Sequence, residues 1–381
     1  MAFNLFHVLK YATAQECSDL HITVGQPPII RVNGEIRWIK HDPLTEEEVH
    51  EAIYSILTER QITQYEQDLQ LDFAWKIDEV GRFRTNIYNH HQGEGAAFRI
   101  IPPKSKTLEE INAPKAVYEL ARKRHGFVLV TGPSGSGKST TQAAMVDMIN
   151  KERRGHILTI EDPIEYTHSS KNCLVTQREV GAHTHDFAGA LRAGLREDPD
   201  IILVGEMRDL ETISLALTAA ETGNLVIGTL HTRSAAGVVD RIVDVFPAGR
   251  HNQIRSMLAS TLEGVVAQQL LAKKDGSGRI AVMEVMVANS AVKNLIREMK
   301  TNQLYSTMQT STNEGMQTFD QALFNLYEQN LLSLDMVRKN ANDLTQIDKW
   351  LRRATGGSIR AAAAKETESE PTFEEEHEID Y

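Results

Sequence analysis

The chain has 381 residues, 41% of them apolar and 24% charged, which fits a globular protein of two or three domains and leaves no stretch near the roughly 18 apolar residues of a membrane helix. Its two cysteines, Cys17 and Cys173, exclude a disulfide framework and a CxxC zinc site, and MAFNLFHVLKYATAQE lacks the charged start and cleavage site of a signal peptide, so a cytoplasmic protein is expected. The net charge of -11 is uneven: eight acids against Lys365 put -7 in residues 361–381 and leave -4 for the body, and neither part offers the basic patch that nucleic-acid binding needs.

Phe3, Phe6, Val8 and Leu9 mark one face of a short helix. Alternation in DLHITV, and Asn33-Gly34 between IIRV and EIRWIK, predict strands and a hairpin over 20–39. TEEEVHEAIYSIL (45–57) predicts a helix capped by Thr45, with Glu48 completing a capping box. Residues 70–77, 82–89 and 95–101 return to a strand pattern. Residues 1–101 are therefore expected to form a small α+β domain. Pro102-Pro103, a polar stretch and Pro114 predict a linker over 102–115.

From 116 to 355 the pattern is strand–helix alternation. FVLVT (127–131), HILTI (156–160), DIILVG (200–205) and NLVIGTL (224–230) are continuous apolar strands; 138–150 and 209–222 are helices. Such strands between helices imply a mostly parallel, buried sheet, and hence an α/β fold. After 289 the chain reads as helices only. Gly356-Gly357, an alanine run and the acidic tail make 356–381 a disordered segment by composition.

GPSGSGKS (132–139) fits G-x-x-x-x-G-K-[ST] directly after an apolar strand and at the start of a helix. Glycines let backbone N–H groups approach phosphate oxygens, and the following helix presents its N-terminus to that charge. Gly132, Pro133, Ser134, Gly135, Ser136, Gly137, Lys138, Ser139 and Thr140 are therefore the candidate ATP-binding residues. Lys138 reaches the β- and γ-phosphates, and Ser139 ligates Mg²⁺. Read alone, the loop would be a glycine-rich turn with a chance lysine, which its strand–helix context argues against.

DIILVGE ends a strand at Glu206, a position where ligands bind in open α/β sheets; the bland alternative is a helix-capping acid. In IEDPIEY (160–166), Glu161, Asp162 and Glu165 cluster after another strand, and any one of them is placed to polarise a water. The plain reading is a solvated turn. His231 in GTLHT either senses the γ-phosphate, contacts a neighbouring subunit or closes a strand structurally. His183 and His185 read as solvated residues of a polar turn.

In this order, the segments resemble the secretion-type ATPases, specifically the type IV pilus retraction ATPases (the PilT/PilU family). GPSGSGKST resembles their Walker A loop, TIEDPIEY their Asp box, LREDPDIILVGEMRDLET their Walker B segment and GTLHTRSAAGVVDRIVDVFP their His box. The resemblance runs from about residue 1 to 355. It implies a PAS-like domain over 1–101, a RecA-like ATPase domain over 116–355, and a homo-hexamer with ATP between subunits. It implies Glu165 as catalytic base, Glu206 as Walker B carboxylate acting through Mg²⁺, and His231 as the coupler of nucleotide state to movement. GRFRTN and FRIIP resemble segments that carry arginines to the site, making Arg84 and Arg99 candidate arginine fingers. The implied partners are an inner-membrane pilus platform protein, through which the motor is peripheral to the membrane, and a paralogous retraction ATPase.

AVKNLIRE (291–298) resembles the AIRNLIRE motif of retraction motors, with Val292 and Lys293 in place of Ile and Arg; a lysine lacks the guanidinium fork. MQTFDQALFNLY (316–327) and the long tail resemble the accessory PilU branch instead. The leading expectation is a PilT-type retraction motor, with a PilU-type accessory as the alternative. Extension ATPases typically carry a tetracysteine zinc motif that this chain lacks. A small-molecule kinase is disfavoured by the long N-terminal domain, and a DNA motor by the acidic balance.

Overall fold

The computed structural model describes residues 3–354, apart from 16, 33, 79 and 102–104. Asn33 of the predicted turn, Pro102-Pro103 of the predicted linker and the acidic tail lie outside the described residues. The α/β class is as expected. The chain divides into two compact units, one ending at the 102–104 segment and one beginning at Ser105.

The first unit runs α1 (Leu5–Ala14), β1 (Asp19–Thr23), β2 (Ile29–Val32), β3 (Glu35–Trp38), α2 (Glu46–Tyr54), α3 (Glu59–Asp68), β4 (Gln70–Ile77), β5 (Gly81–His90) and β6 (Gly93–Ile101). Its strands pair antiparallel in the order β3-β2-β1-β6-β5-β4. Val32 pairs with Glu35, the register a two-residue hairpin demands. The Thr45–Glu48 capping box forms as read. Helix α1 buries Leu5, Val8, Leu9 and Ala12, while Phe6 is 45% exposed and stacks edge-on to Trp75. Val8 and Leu9 lie on the buried face as expected and Phe3 packs against the same core, so of the four predicted residues only Phe6 falls outside it.

The second unit begins with α4 (Lys115–Ala121), β7 (Gly126–Thr131), α5 (Lys138–Glu152), β8 (His156–Glu161), β9 (Leu174–Glu179), α6 (Phe187–Gly194), β10 (Ile201–Val204), α7 (Leu210–Glu221), β11 (Leu225–Leu230) and α8 (Ala235–Asp244). It continues with α9 (His251–Thr261), the hairpin β12 (Leu262–Ala272) and β13 (Arg279–Val287), then α10 (Ser290–Arg297), α11 (Leu304–Thr310), α12 (Phe319–Glu328), α13 (Leu334–Asn340) and α14 (Leu344–Ala354). The sheet order is β13-β12-β7-β11-β10-β8-β9, parallel throughout except for β12 with β13. Leu108, inside the stretch read as linker, is buried with Val117 and Leu120, so residues 105–114 pack as part of this unit.

The uninterrupted apolar strands are explained by burial on both faces. In β7, Phe127 and Leu129 enter one core layer while Val128 and Val130 enter the other. In β10, Ile202 and Val204 divide from Ile201 and Leu203 in the same way. Each fully buried aliphatic or aromatic side chain contributes about 1.5–3 kcal/mol, so the central strands hold the site rigidly. Among the described residues no helix is long and apolar enough to cross a membrane.

Candidate functional site

The parallel strands β7, β11, β10 and β8 end at one edge of the sheet, and each carries a polar residue or loop past that edge. Because β11 lies between β7 and β10, the residue after β11 falls between the phosphate loop and the acid after β10. That residue is His231. Its Nε2 lies 2.7 Å from Glu206 Oε1 and its Nδ1 3.5 Å from Lys138 Nζ. The tautomer satisfying both contacts carries its proton on Nε2 and accepts from lysine at Nδ1.

Lys138 opens α5 and is buried, donating to the carbonyls of Gly132 (2.9 Å) and Pro133 (3.0 Å). Burial pulls its pKa below the ordinary lysine value, with the charges of Glu206 and Glu165 opposing that shift. Gly132, Gly135 and Gly137 all have positive φ, and a Cβ on Gly132 would lie 2.2 Å from the Gln268 carbonyl oxygen. Gly137 caps α5 without any side-chain acceptor, so the helix presents its first amides uncapped. Ser136 Oγ is buried with no hydrogen-bond partner among the described residues. Unpaired amides, an orphaned hydroxyl and a buried ammonium at a helix N-terminus together fit a polyphosphate.

Glu206 is fixed from both sides. The Gly205 amide donates to Ile160 O at 2.8 Å, and the Met207 amide to Thr229 O at 3.1 Å. Arg208 Nε lies 2.6 Å from the Glu206 carboxylate. Desolvation alone would raise the pKa of Glu206, but Arg208 and His231 outweigh it and hold the carboxyl below its usual value. An ionised carboxylate and the Ser139 hydroxyl are hard oxygen donors of the kind Mg²⁺ takes alongside phosphate and water.

Of the three clustered acids, Glu161 and Glu165 are tied together. Glu161 accepts from Thr159 Oγ1 (2.6 Å), Gln177 Nε2 (3.1 Å) and the amide of Glu165. Burial lifts its pKa to about 7, against those three donors, and the nearby charge of Glu165 adds to the rise. The segment around Glu165 is fastened on both sides. The Ile164 amide donates to Glu179 (3.0 Å), Gln177 Nε2 donates to Tyr166 O (2.9 Å), and Tyr166 Oη meets Thr140 Oγ1 of the phosphate loop at 2.9 Å. Asp162 is exposed.

Arg84 and Arg99 belong to the first unit, where they are register partners on β5 and β6. Arg99 donates through Nε to Asp19 Oδ1 at 3.1 Å, and its side chain is 63% exposed. Among the described residues the Lys293 ammonium makes one ion pair, 3.3 Å to Glu263 Oε1, and the other oxygen of Glu263 binds Lys123, so a fork is not used there. His183 is more than a solvated turn residue: its Nδ1 accepts the Glu179 amide.

Several site residues were not singled out by the sequence reading. Gln268 on β12 donates to Ser136 O at 2.7 Å and braces the loop from the next strand. Thr131 and Thr232 exchange hydrogen bonds across 101 positions, tying the loop's strand to the His231 turn. Arg208 stood inside the quoted Walker B-like segment, and its two-residue offset from Glu206 was the available signal. Gln268 carried no local signal, because its role depends on β12 lying beside β7.

Comparison with known proteins adds to this geometry. Residues 4–338 match the family described as type II/IV secretion system protein. The chain is 51% identical to the type IV pilus retraction ATPase PilT of Pseudomonas aeruginosa over 338 residues, 89% of this chain and 98% of that one. It is 41% identical to the type IV pilus ATPase PilU of the same organism, over 88% of this chain and 89% of that one. A crystal structure of the pilus retraction motor PilT with bound ADP superimposes with a TM-score of 0.84 at 44% identity, covering 91% of this chain and 99% of that one.

Proposed function

We propose, for a chain that belongs to the type II/IV secretion system protein family, that it is an ATP-hydrolysing motor powering type IV pilus retraction and twitching motility. The observation that carries this reading is the contact series Lys138–His231–Glu206 across the ends of three neighbouring strands. A plain nucleotide binder needs the loop alone. A histidine bridging loop and acid gives nucleotide state a route into the protein.

In this reading the amides of 132–140 and Lys138 hold the phosphates of ATP, and Ser139 and Glu206 hold Mg²⁺. The cation, when bound, offsets charge on the transferred phosphoryl group. Glu165 takes the proton of the attacking water, and the braces on its flanking peptides keep it in place. Arg84 and Arg99 act as arginine fingers supplied by a neighbouring copy in a homo-hexamer. The motor works on the cytoplasmic side against an inner-membrane platform protein. The alternative, an accessory of the PilU type assisting a paralogous motor, is favoured by the 316–327 segment and the tail; the higher identity to PilT favours the first reading.

Two measurements test it. Purified protein should release phosphate from ATP with no acceptor present, and Lys138→Ala should abolish this; full turnover by Lys138→Ala would sink the reading. Deleting the gene should leave excess pili without surface motility, whereas absence of pili would mark an extension motor and normal pili with weakened force an accessory.

A further inference from the structure

Glu284 of β13 and Asp320 of α12 are buried to 3% and 1% exposure, and neither meets a cation among the described residues. Isolated carboxylates are costly to bury, by several kcal/mol even after relaxation.

Their partners are backbone amides at the starts of helices. Glu284 Oε1 accepts the Ala235 amide at 2.6 Å, and Oε2 accepts the Phe319 amide at 3.2 Å. Ala235 and Phe319 are the first residues of α8 and α12. One carboxylate therefore joins two helix N-termini, whose positive dipole ends favour its charge. Burial still pushes the Glu284 pKa up, with the charge of Asp320 contributing. Asp320, one residue further along α12, turns both oxygens to a single element. Its Oδ1 accepts the Asn342 amide at 2.8 Å and its Oδ2 the Asp343 amide at 2.9 Å, at the entry to α14.

The near end of this series is the nucleotide site. Helix α8 follows directly from the His231 turn, and Thr232 of that turn is bonded to Thr131, the last residue of β7. The far end is a separate apolar cluster, in which Leu323, Val337, Ile347 and Leu351 of α12–α14 pack against Val282 of β13. Glu284 stands on β13 between Val282, in that cluster, and Met286, in the cluster backing the nucleotide strands.

We infer that Glu284 and Asp320 are positioning residues that transmit the position of the His231 turn to helices α12–α14 in two steps, first α8 to α12 and then α12 to α14. This rests on the ATPase reading. Glu284 gives one oxygen to the start of α8 and the other to the start of α12, and Asp320, itself on α12, gives both oxygens to the entry of α14, so displacement of one element must stretch or carry the next.

Hydrogen–deuterium exchange on the full chain, with and without MgADP or a non-hydrolysable Mg-ATP analogue, tests it. In the wild type, nucleotide should protect 132–140 and change exchange at 319–328 and 342–351 by about tenfold. Glu284→Gln offers an NH₂ to one of two amide donors; it should keep the protection at 132–140 while the response over 319–351 falls below about twofold. Asp320→Asn should keep the response at 319–328 and lose it at 342–351. A purely structural role would lower the melting temperature of both variants and leave their nucleotide response unchanged, which overturns the inference. So does a wild type with a protected loop and no response at 319–351. If Glu284→Gln fails to fold, Asp320→Asn decides by the same criterion. A wild type with no protection at 132–140 fails earlier, at the ATPase reading itself.

Discussion

Glu206 and Glu165 are carboxylates at the same sheet edge, yet their surroundings suit them to different work. Arg208 and His231 hold Glu206 ionised, as a cation ligand must be. The Glu165 side chain makes no hydrogen bond among the described residues, while its flanking peptides are braced, leaving a carboxylate free to accept a proton at a set position. Glu165→Gln should therefore retain ATP binding and lose about 10²–10⁴-fold in kcat, regardless of Mg²⁺ concentration. Glu206→Gln should also bind and fail to turn over, but raised Mg²⁺ should recover part of the rate. Steady-state kinetics across a Mg²⁺ titration separate the two, and identical responses would refute the division of roles. Glu161 adds a pH dependence. Its pKa rises from 4.5 unfolded to about 7 folded, so the fold favours the protonated form. That contribution is full below pH 4.5 and is lost as pH rises through 7. Relative to Glu161→Gln, the wild type should lose on the order of 2 kcal/mol between about pH 5 and about pH 8. Unfolding midpoints that run parallel in pH would contradict it.

At the scale of elements, the phosphate loop is shaped by the strand beside it as much as by its own glycines. Gly132→Ala would set a methyl group against the Gln268 carbonyl oxygen at a positive φ, with Ser136 Oγ at 2.7 Å. Backbone, not a flexible side-chain tip, stands in the way, so the loop must shift. Loss of nucleotide binding and destabilisation of about 2–4 kcal/mol are expected, measured by nucleotide titration and thermal melts. Gln268→Ala removes one donor to Ser136 O and should weaken nucleotide binding by roughly tenfold, with a smaller effect on stability. Only the first of these effects was legible in the sequence. The motif named the loop because strand, glycines and helix are contiguous. The strands ending at Glu206 and His231 were legible because burial on both faces leaves an unbroken apolar run. Helix α3 escaped because it buries only Tyr65 and, apart from Ile62, is polar elsewhere. Edge strand β9, LVTQRE, is half-buried along most of its length and lacks an apolar signature. The run VVAQQLLA in β12 has helix-forming residues, and only its place between β7 and β13 makes it a strand. Gln268 was hidden for the same reason.

On the scale of the whole molecule, the proposed function would divide the chemistry between the chain's two units. Lys138, Glu165, Glu206 and His231 belong to the second unit, and Arg84 and Arg99 to the first. Arg84 and Arg99 sit side by side on adjacent strands, and of these two only Arg99 meets the Asp19 carboxylate, which is shared with Arg31. Two like charges in register on neighbouring strands repel unless an anion offsets them. A phosphoryl group brought by another copy would supply that anion. Mixing defects then distinguishes arginines acting between copies from arginines acting within one. Lys138→Ala chains keep their arginines and lose the loop lysine; Arg84→Ala/Arg99→Ala chains do the reverse. Assembled separately, both should be inactive. Assembled together in equal amounts, every chain still carries one defect, so sites completed within a chain stay dead. Sites completed between copies regain function wherever an intact loop faces intact arginines, about a quarter of interfaces in a randomly mixed closed ring. Phosphate release from the co-assembled mixture should therefore rise well above that of either variant alone. A mixture no more active than its parts, with rings verified by light scattering, would mean that Arg84 and Arg99 do not complete a neighbouring copy's site.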